Sequence, residues 1–371
     1  MNLGEKIKVC QVKIKEKYYR TIWPNLSQTM VDIIDQTKLP HAFEIVQITS
    51  LVEMLHAIKS MQVRGAPLIG VAAAYGVALA MREAADDANL LAAANVLIAS
   101  RPTAVNLQWA VNRMVKRLQG EPESMRANLA WLEAGSMANE DAEQNLKLGQ
   151  QGLALIKSCY QQKTFHLLTH CNAGWLATVD YGTALAPIYA AHDAGMAVHV
   201  WVGETRPRNQ GASLTAWELA QHGVPYTVVA DNAVGYLMQQ GLVDMVIVGA
   251  DRVTAQGDVC NKIGTYLRAL AAFDNHIPFY AAVPTPTIDW AMHDGAQIEI
   301  EHRHADELDV MQGLDAIGNV QQVRILPVNA KVLNPAFDVT PAKLVTGIIT
   351  EQGVFAPAEL RSQLTHLNEF A

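Results

Sequence analysis

Residues 165–283 alternate between short apolar runs and longer helix-like stretches, which limits the fold more than any other feature of the 371-residue chain. The runs FHLLTH, AVHVWVGET, PYTVVADN, DMVIVGADRV and PFYAAVP are rich in valine and isoleucine and carry almost no polar residue inside. Between them lie WLATVDYGTALAPIYAAHDAG, ASLTAWELAQHG, NAVGYLMQQG and NKIGTYLRALAAFDNH, with glycine or asparagine near their ends to serve as C-caps. A strand that is apolar on both faces has to be covered on both faces. The alternation therefore predicts a parallel sheet with right-handed crossovers and helices on each side, a doubly wound α/β fold.

The N-terminal part reads differently. Residues 8–50 carry short alternating runs (KVCQVKIK, YYRTIW, MVDIID, FEIVQIT) separated by turn residues, which predicts a small antiparallel sheet or meander. From Leu51 to about Gly120 the pattern is helical, and residues 119–145 lose periodicity, which predicts a connection there. The length suits two domains, expected at 1–130 (meander and helices) and 131–371 (the α/β sheet). APLIGVAAAYGVALAM, 66–81, is too short for a full membrane span and is mostly alanine and glycine, so a buried core helix is expected. The lysine-rich start, MNLGEKIKVCQVKIKEK, leads into no apolar stretch, so no secretory signal is expected.

Composition narrows the function. A formal charge of −8 argues against general binding to nucleic acid or anionic membrane, and an anionic substrate would need cations gathered locally. The cysteines at 10, 159, 171 and 260 form no CxxC pair and no zinc spacing, and they read as reduced thiols of a cytosolic protein.

Ligands of a doubly wound sheet bind at the carboxyl ends of its strands. Those ends carry Cys171-Asn172, then Gly203 through Gln210 with Arg206 and Arg208, then Asp231-Asn232, then Asp251-Arg252. The opposite ends carry only GMA, HGV and GLV. One rim therefore holds the chemistry. GxGxxG, GxxxxGK[ST], GxSxG and HExxH are all absent from the strand turns, and the twelve histidines are scattered, so a metal-free site is expected. His166 and His199 sit within apolar strands and read as satisfied core or edge histidines.

Cys171 is either a small apolar filler or a reactive thiol. Its place just before an expected helix favours the thiol, because free N–H groups at a helix start stabilise a thiolate. His170 faces the other way on an extended strand, so no Cys–His pair follows from adjacency. Cys10, Cys159 and Cys260 read as structural. Asp251 is either a partner for Arg252 or a proton donor whose acidity is weakened by an apolar strand tip. Asp231 reads as a helix N-cap. Candidates for holding an anion are Arg64-Gly65-Ala66, which lead into a proline-started helix, Arg101, and Asn261-Lys262 at the expected start of the last helix.

Taken together, RTIW (20–23), IIDQTKLPH (33–41), VRGAPLIGVAAAYGVALA (63–80), RPTAVNLQWAV (101–111), THCNAGWLAT (169–178), ETRPRNQGASLTAWEL (204–219), VADNAVGYLM (229–238), IVGADRV (247–253), GDVCNKIGTYLRA (257–269) and NPAFDVTP (334–341) resemble the methylthioribose-1-phosphate isomerases. These are aldose–ketose isomerases of methionine salvage. Their superfamily includes the regulatory subunits of the translation-initiation guanine-exchange factor. The resemblance runs in order over nearly the whole chain. It implies a Rossmann-like C-terminal sheet behind a smaller antiparallel sheet with helices, and a cytoplasmic homodimer without cofactor. It also implies Cys171 and Asp251 as the catalytic pair, with Arg64, Gly65, Ala66, Arg101, Gln210, Asn261 and Lys262 on the sugar phosphate. Pro286 and His302 depart from the family pattern, where serine and glutamate are expected. The relatives to weigh against this are a ribose-1,5-bisphosphate isomerase and a non-catalytic regulatory subunit, with a cysteine acyl-transfer enzyme more remote. Trp23, Trp109 and the apolar RGAPLIG segment favour a pocket for a thioether over a second phosphate site.

Overall fold

The computed structural model describes residues 13–14, 17–161 and 163–364, so Cys10 and the start of the first alternating run lie outside the described residues. Strands β1 (Lys13–Ile14) and β2 (Lys17–Tyr18) pair with each other, and β3 (Ile22–Pro24), β4 (Val31–Ile34) and β5 (Ile45–Ile48) make an antiparallel sheet. In its register Ile33 stands opposite Ile22 and Val46, so the alternation expected from sequence buries one face.

Helices α1 (Leu51–Lys59), α2 (Ala66–Glu83), α3 (Asp87–Ser100) and α4 (Val105–Leu118) follow. Nearly every residue of α2 is buried, because its alanines and glycines let α1, α3 and α4 approach closely. No helix among the described residues is long and apolar enough to cross a membrane.

Residues 119–145 are not a connection. Helix α5 runs unbroken over 37 residues, Glu123–Cys159, and the domain boundary expected at residue 130 falls inside it. Its contacts explain why the helix was hard to see. Ala130, Ala134, Met137 and Ala138 bury against the N-terminal core, while Leu148, Leu153 and Ile156 bury against the sheet. With small residues on the contact face, the apolar stripe carries little signal.

The C-terminal part contains β6 (Phe165–Thr169), α6 (Ala186–Asp193), β7 (Val198–Gly203), α7 (Ala216–His222), β8 (Tyr226–Val229), α8 (Val234–Gln239) and β9 (Met245–Val248). Then come β10 (Arg252–Thr254), β11 (Val259–Lys262), α9 (Thr265–Asp274), β12 (Phe279–Ala282), β13 (Ile288–Asp289), α10 (Asp306–Asp309), β14 (Val310–Leu314), β15 (Val320–Arg324), β16 (Phe337–Thr340), β17 (Gly347–Thr350) and β18 (Gly353–Phe355). The main sheet has the order β18-β17-β12-β9-β6-β7-β8, with every pair parallel except β17–β18. Alternate residues serve opposite faces: Leu167 packs with helices α5 and α6, and Leu168 with α8 and α9. This is the doubly wound fold expected, extended by β17 and β18 beyond the strands read from sequence.

Three local expectations change. DMVIVGADRV is two strands, β9 in the main sheet and β10 in a second sheet of order β13-β10-β11-β16. Asn261 and Lys262 lie on β11 of that second sheet rather than at a helix start. No α-helix follows Cys171 until Ala186; a single 3-10 turn, Trp175–Ala177, intervenes.

Gly152 of α5 meets α6 so closely that an added Cβ would lie 2.3 Å from Pro187 Cγ. In an open helix, Gly→Ala stabilises by roughly 0.5–1 kcal/mol, whereas overpacking costs about 1–3 kcal/mol. Gly152→Ala is therefore expected to lower the denaturant midpoint, by about 1 kcal/mol or more in unfolding free energy. A raised midpoint would show that α5 and α6 yield.

Candidate active site

Numbered along the chain, the six parallel strands stand in the order 3-2-1-4-5-6, and that order reverses direction between β6 and β9. At such a reversal the loops leaving the two strands turn apart and open a crevice. Cys171 lies two residues past the end of β6 and Asp251 three past the end of β9. Both line one cavity of about 80 Å³. Arg64, Gly65, Ala66, Arg101, Gln210, Asn261 and Lys262 line it too, so the structure brings all nine expected residues together. An adjoining groove of about 400 Å³ shares Met61, Arg64 and Gln210 as walls.

Cys171 is held at both ends of its peptide unit. Its N–H donates to Thr205 Oγ1 at 2.8 Å, and Thr215 Oγ1 donates to its carbonyl at 2.6 Å. These bonds hold a left-handed backbone at φ 60°, an uncommon conformation for a residue with a Cβ. No helix begins directly after Cys171, contrary to expectation. What faces it is charge, since Lys262 and Arg268 both interact electrostatically with Cys171. The thiol itself makes no hydrogen bond among the described residues.

His170 is turned behind this loop. Its Nε2–H donates to the Ile263 carbonyl at 2.8 Å, and Nδ1 lies 3.2 Å from Thr205 Oγ1. Burial holds it well below the usual histidine range, so it stays neutral.

Glu218, fully buried on α7, organises the rest of the loop. It accepts from Asn172 Nδ2 (2.8 Å), Trp175 N–H (2.9 Å), Leu176 N–H (3.1 Å) and Tyr189 Oη (2.8 Å). Asn172 in turn accepts from Arg64 through both its side-chain and main-chain oxygens. Burial pushes Glu218 up to about 7 while the four donors pull against it.

Asp251 has no ion-pair or hydrogen-bond partner for its carboxyl among the described residues. Arg252, the partner weighed from sequence, pairs instead with Asp289 at 3.3 Å and donates to the Thr103 carbonyl at 3.0 Å. Asp251 faces Arg101 and Lys262 electrostatically. Lys262 is fully enclosed, and burial brings it down to about 8. Burial lowers Arg101 as well, and its Nε is buried with no partner.

The start of α2 opens onto the cavity without a side-chain cap. Gly65 sits at φ 100°, and an added Cβ would lie 2.5 Å from the Ala177 carbonyl, so only glycine fits. Free N–H groups at such a start suit an anion.

Other expectations fail for identifiable reasons. Asp231 is not an N-cap; it accepts from the Thr205 and Arg206 N–H groups and from Arg268, at 2.9, 2.7 and 2.6 Å. Arg206 and Arg208 turn from the cavity to the Leu308 carbonyl and Glu307. Trp23 and Trp109 do not line the cavity; its apolar wall is Met61, Ala66, Pro67, Ile69, Ile298 and Phe337. Cys260, read as structural, also lines it, with burial pushing its thiol up to about 12. His166 stacks on Trp201 and His199 meets it edge-on, and the Nδ1 atoms of both are buried without a partner among the described residues, so neither is fully satisfied. Pro286 and His302 do not line the main cavity.

The fold and the crevice define a class. The chain belongs to the Initiation factor 2 subunit family, whose model matches residues 62–357. Among its relatives are the methylthioribose-1-phosphate isomerase of Rhodospirillum rubrum, 56% identical over 93% of this chain and 91% of that one, and that of Methylocella silvestris, 57% identical over 92% and 95%. A crystal structure of 5-methylthioribose 1-phosphate isomerase from Pyrococcus horikoshii superposes with a TM-score of 0.80 at 40% identity, covering 96% of this chain and 97% of that one. A structure titled translation initiation factor eIF-2B, subunit delta, from A. fulgidus scores 0.78 at 41% identity, covering 94% and 99%. Within the family, then, the chain stands among the methylthioribose-1-phosphate isomerases and is an aldose–ketose isomerase.

Glu218 offers a test of the buried carboxyl. Its raised value means the folded chain keeps a proton that the unfolded chain has already released. Folding stability relative to Glu218→Gln is therefore expected to fall as pH rises from the ordinary glutamate range towards about 7. Other buried carboxyls cancel in this comparison. Parallel melting curves for the two proteins across that window would mean Glu218 is ionised throughout.

Proposed function

We propose that the chain converts 5-methylthioribose 1-phosphate into 5-methylthioribulose 1-phosphate, with Cys171 and Asp251 as the catalytic pair. The observation that carries this reading is that both side chains, unpartnered among the described residues, meet at one cavity with Arg64, Arg101 and Lys262. The names of its relatives supply the substrate.

The anomeric carbon of this sugar carries phosphate, so the ring cannot open to a free aldehyde. Asp251 gives its proton to the ring oxygen as the bond from C1 to that oxygen breaks, leaving positive charge shared between C1 and the phosphate-bearing oxygen. Hydrogen then moves from C2 to C1, the C2 hydroxyl becomes a ketone, and its proton returns to Asp251. Cys171 serves either as the base that carries a proton from C2 or as the thiolate that faces the charge during a hydride shift. General acid–base groups contribute about 10²–10⁴-fold each.

Arg64, Gly65, Ala66, Arg101, Gln210, Asn261 and Lys262 hold the phosphate and hydroxyls in this reading, and the wall of Met61, Ile69, Ile298 and Phe337 takes the methylthio group. The reading includes a cytoplasmic homodimer that works without cofactor or nucleic acid. The chain's two units, expected from sequence to divide at residue 130, share α5, whose first half packs on the N-terminal core and whose second half packs on the sheet.

The test is to incubate the chain with 5-methylthioribose 1-phosphate and, separately, with ribose 1,5-bisphosphate, following ketose formation. Turnover of the thioether sugar is expected; preference for the bisphosphate would overturn the substrate. Cys171→Ser and Asp251→Asn are each expected to lower kcat by about 10²–10⁴-fold with folding retained. Wild-type rates in either variant would remove that residue from the pair. Run in deuterated water, label at C1 would identify proton transfer.

A further inference from the structure

We infer that Arg303, which none of the assignments above includes, is a third cation of the phosphate-binding wall beside Arg101 and Lys262. This rests on the isomerase reading for its substrate but on the cavity alone for its chemistry. Arg303 lines the same cavity, and its side chain is only 9% exposed. Its Nε donates to Glu301 at 3.0 Å, its Nη1 meets Met61 Sδ at 3.8 Å and Glu307 at 4.0 Å, and its guanidinium lies 5.5 Å over the Phe337 ring. Among the described residues nothing accepts from Nη2, so one arm of the fork is left for a ligand.

The charge around it points the same way. Glu301 is shared with Arg101 at 3.4 Å, so one carboxylate serves two guanidinium groups. Among the described residues Lys262 forms no ion pair with a carboxylate; its Nζ donates to the Ala336 carbonyl at 3.0 Å and lies 4.5 Å over Phe337. After burial, Arg303 is the largest influence holding Lys262 down. It also pushes Arg101 the same way. Asp251 and Glu299 bring negative charge to the same cavity, yet neither is paired with Arg303. Three cations on one wall, Lys262 buried and Arg101 and Arg303 partly so, repel each other, and a dianion relieves that. A planar fork with a free arm suits a phosphate oxygen.

The position has a structural rationale. Arg303 belongs to the segment that leads into α10, and its N–H donates to the Asn334 carbonyl at 2.9 Å. The Glu301 carbonyl ties the same segment to the residues leading into β16, accepting from the Ala336 N–H at 2.8 Å. Arg303 therefore reaches the cavity from a wall that neither strand end at the crevice supplies.

The experiment compares the wild-type chain with Arg303→Gln and Arg303→Lys in two assays. Inorganic phosphate binding is measured by calorimetry, and kinetics with 5-methylthioribose 1-phosphate are measured across pH. In Arg303→Gln, phosphate binding and KM are expected to weaken roughly tenfold or more, with a smaller change in kcat. Burial brings Lys262 down to about 8, so its deprotonation is expected to contribute an alkaline limb to kcat/KM, and that limb is expected to move upward in Arg303→Gln because a neighbouring cation is gone. A purely structural role would leave that limb in place. Arg303→Lys keeps the charge but loses the fork, so its limb should stay while KM rises. Phosphate affinity and KM within about twofold of wild type in Arg303→Gln, with an unmoved limb, would overturn the inference. Should Arg303→Gln not fold, an unchanged KM in Arg303→Lys overturns it equally. Arg303-dependent phosphate binding without sugar turnover would sink the isomerase reading and leave the third cation standing.

Discussion

The site depends on a single reversal. The crossovers carry the chain from β6 outward through β7 and β8, and then back past β6 to β9, β12 and β17. Where the winding changes direction, no crossover covers the strand ends, and a crevice is left between two neighbouring strands of the most buried part of the sheet. A thiol and a carboxyl placed just past those two strands inherit the rigidity of the sheet. Their separation is fixed by the spacing of adjacent strands rather than by flexible loops. The second sheet and the start of α2 then close over the crevice, which is how Lys262 and Arg64 arrive.

A layer of buried polar residues behind the cavity does the positioning. Thr205 and Thr215 fix the peptide on either side of Cys171, and Glu218 fixes the turn that follows. Asp231 ties the β7 loop to Arg268 at 2.6 Å. Each of these groups is satisfied inside the protein, whereas Asp251 and the Cys171 thiol are not. The division is physically sensible: buried polar groups are costly unless paired, and these two unpaired groups face the cavity. The same reasoning accounts for a cationic cavity in a chain of net charge −8, because the cations are gathered on one wall and shielded from the acidic surface.

The strands were legible because β-branched residues on both faces leave one architecture, and the rim was legible because polar residues collect at one set of strand ends only. Other features were hidden by the same physics that makes them work. Helix α5 packs through alanines, whose burial gives no strong stripe. β9 and β10 read as one run because the turn between them, Gly249-Ala250, is itself apolar, and the switch of sheet is a tertiary event. Thr205, Thr215 and Glu218 act on partners 34 to 46 residues away, beyond any local pattern. Glu218 alone left a trace, as a carboxylate among apolar residues in ASLTAWELAQ. Trp23 and Trp109 misled because size and apolarity say what a side chain is, not which cavity it enters.

Two solved neighbours at about the same identity, 40% and 41%, carry the names of an isomerase and of a translation initiation factor subunit, so the fold alone does not separate catalysis from assembly. The separation has to come from side chains. In a subunit that only assembles, a half-buried carboxyl beside an arginine would be expected to pair with it, since that is the cheapest way to satisfy both. Here Arg252 reaches past its neighbour to Asp289 and Thr103, and Asp251 is left facing the cavity. Cys171 is likewise held in an uncommon backbone conformation by two threonines, with its thiol left free. Free energy is spent in both places without any return in stability. Such expenditure makes physical sense where a substrate completes the unmade contacts, so these two side chains, more than overall likeness, favour the isomerase.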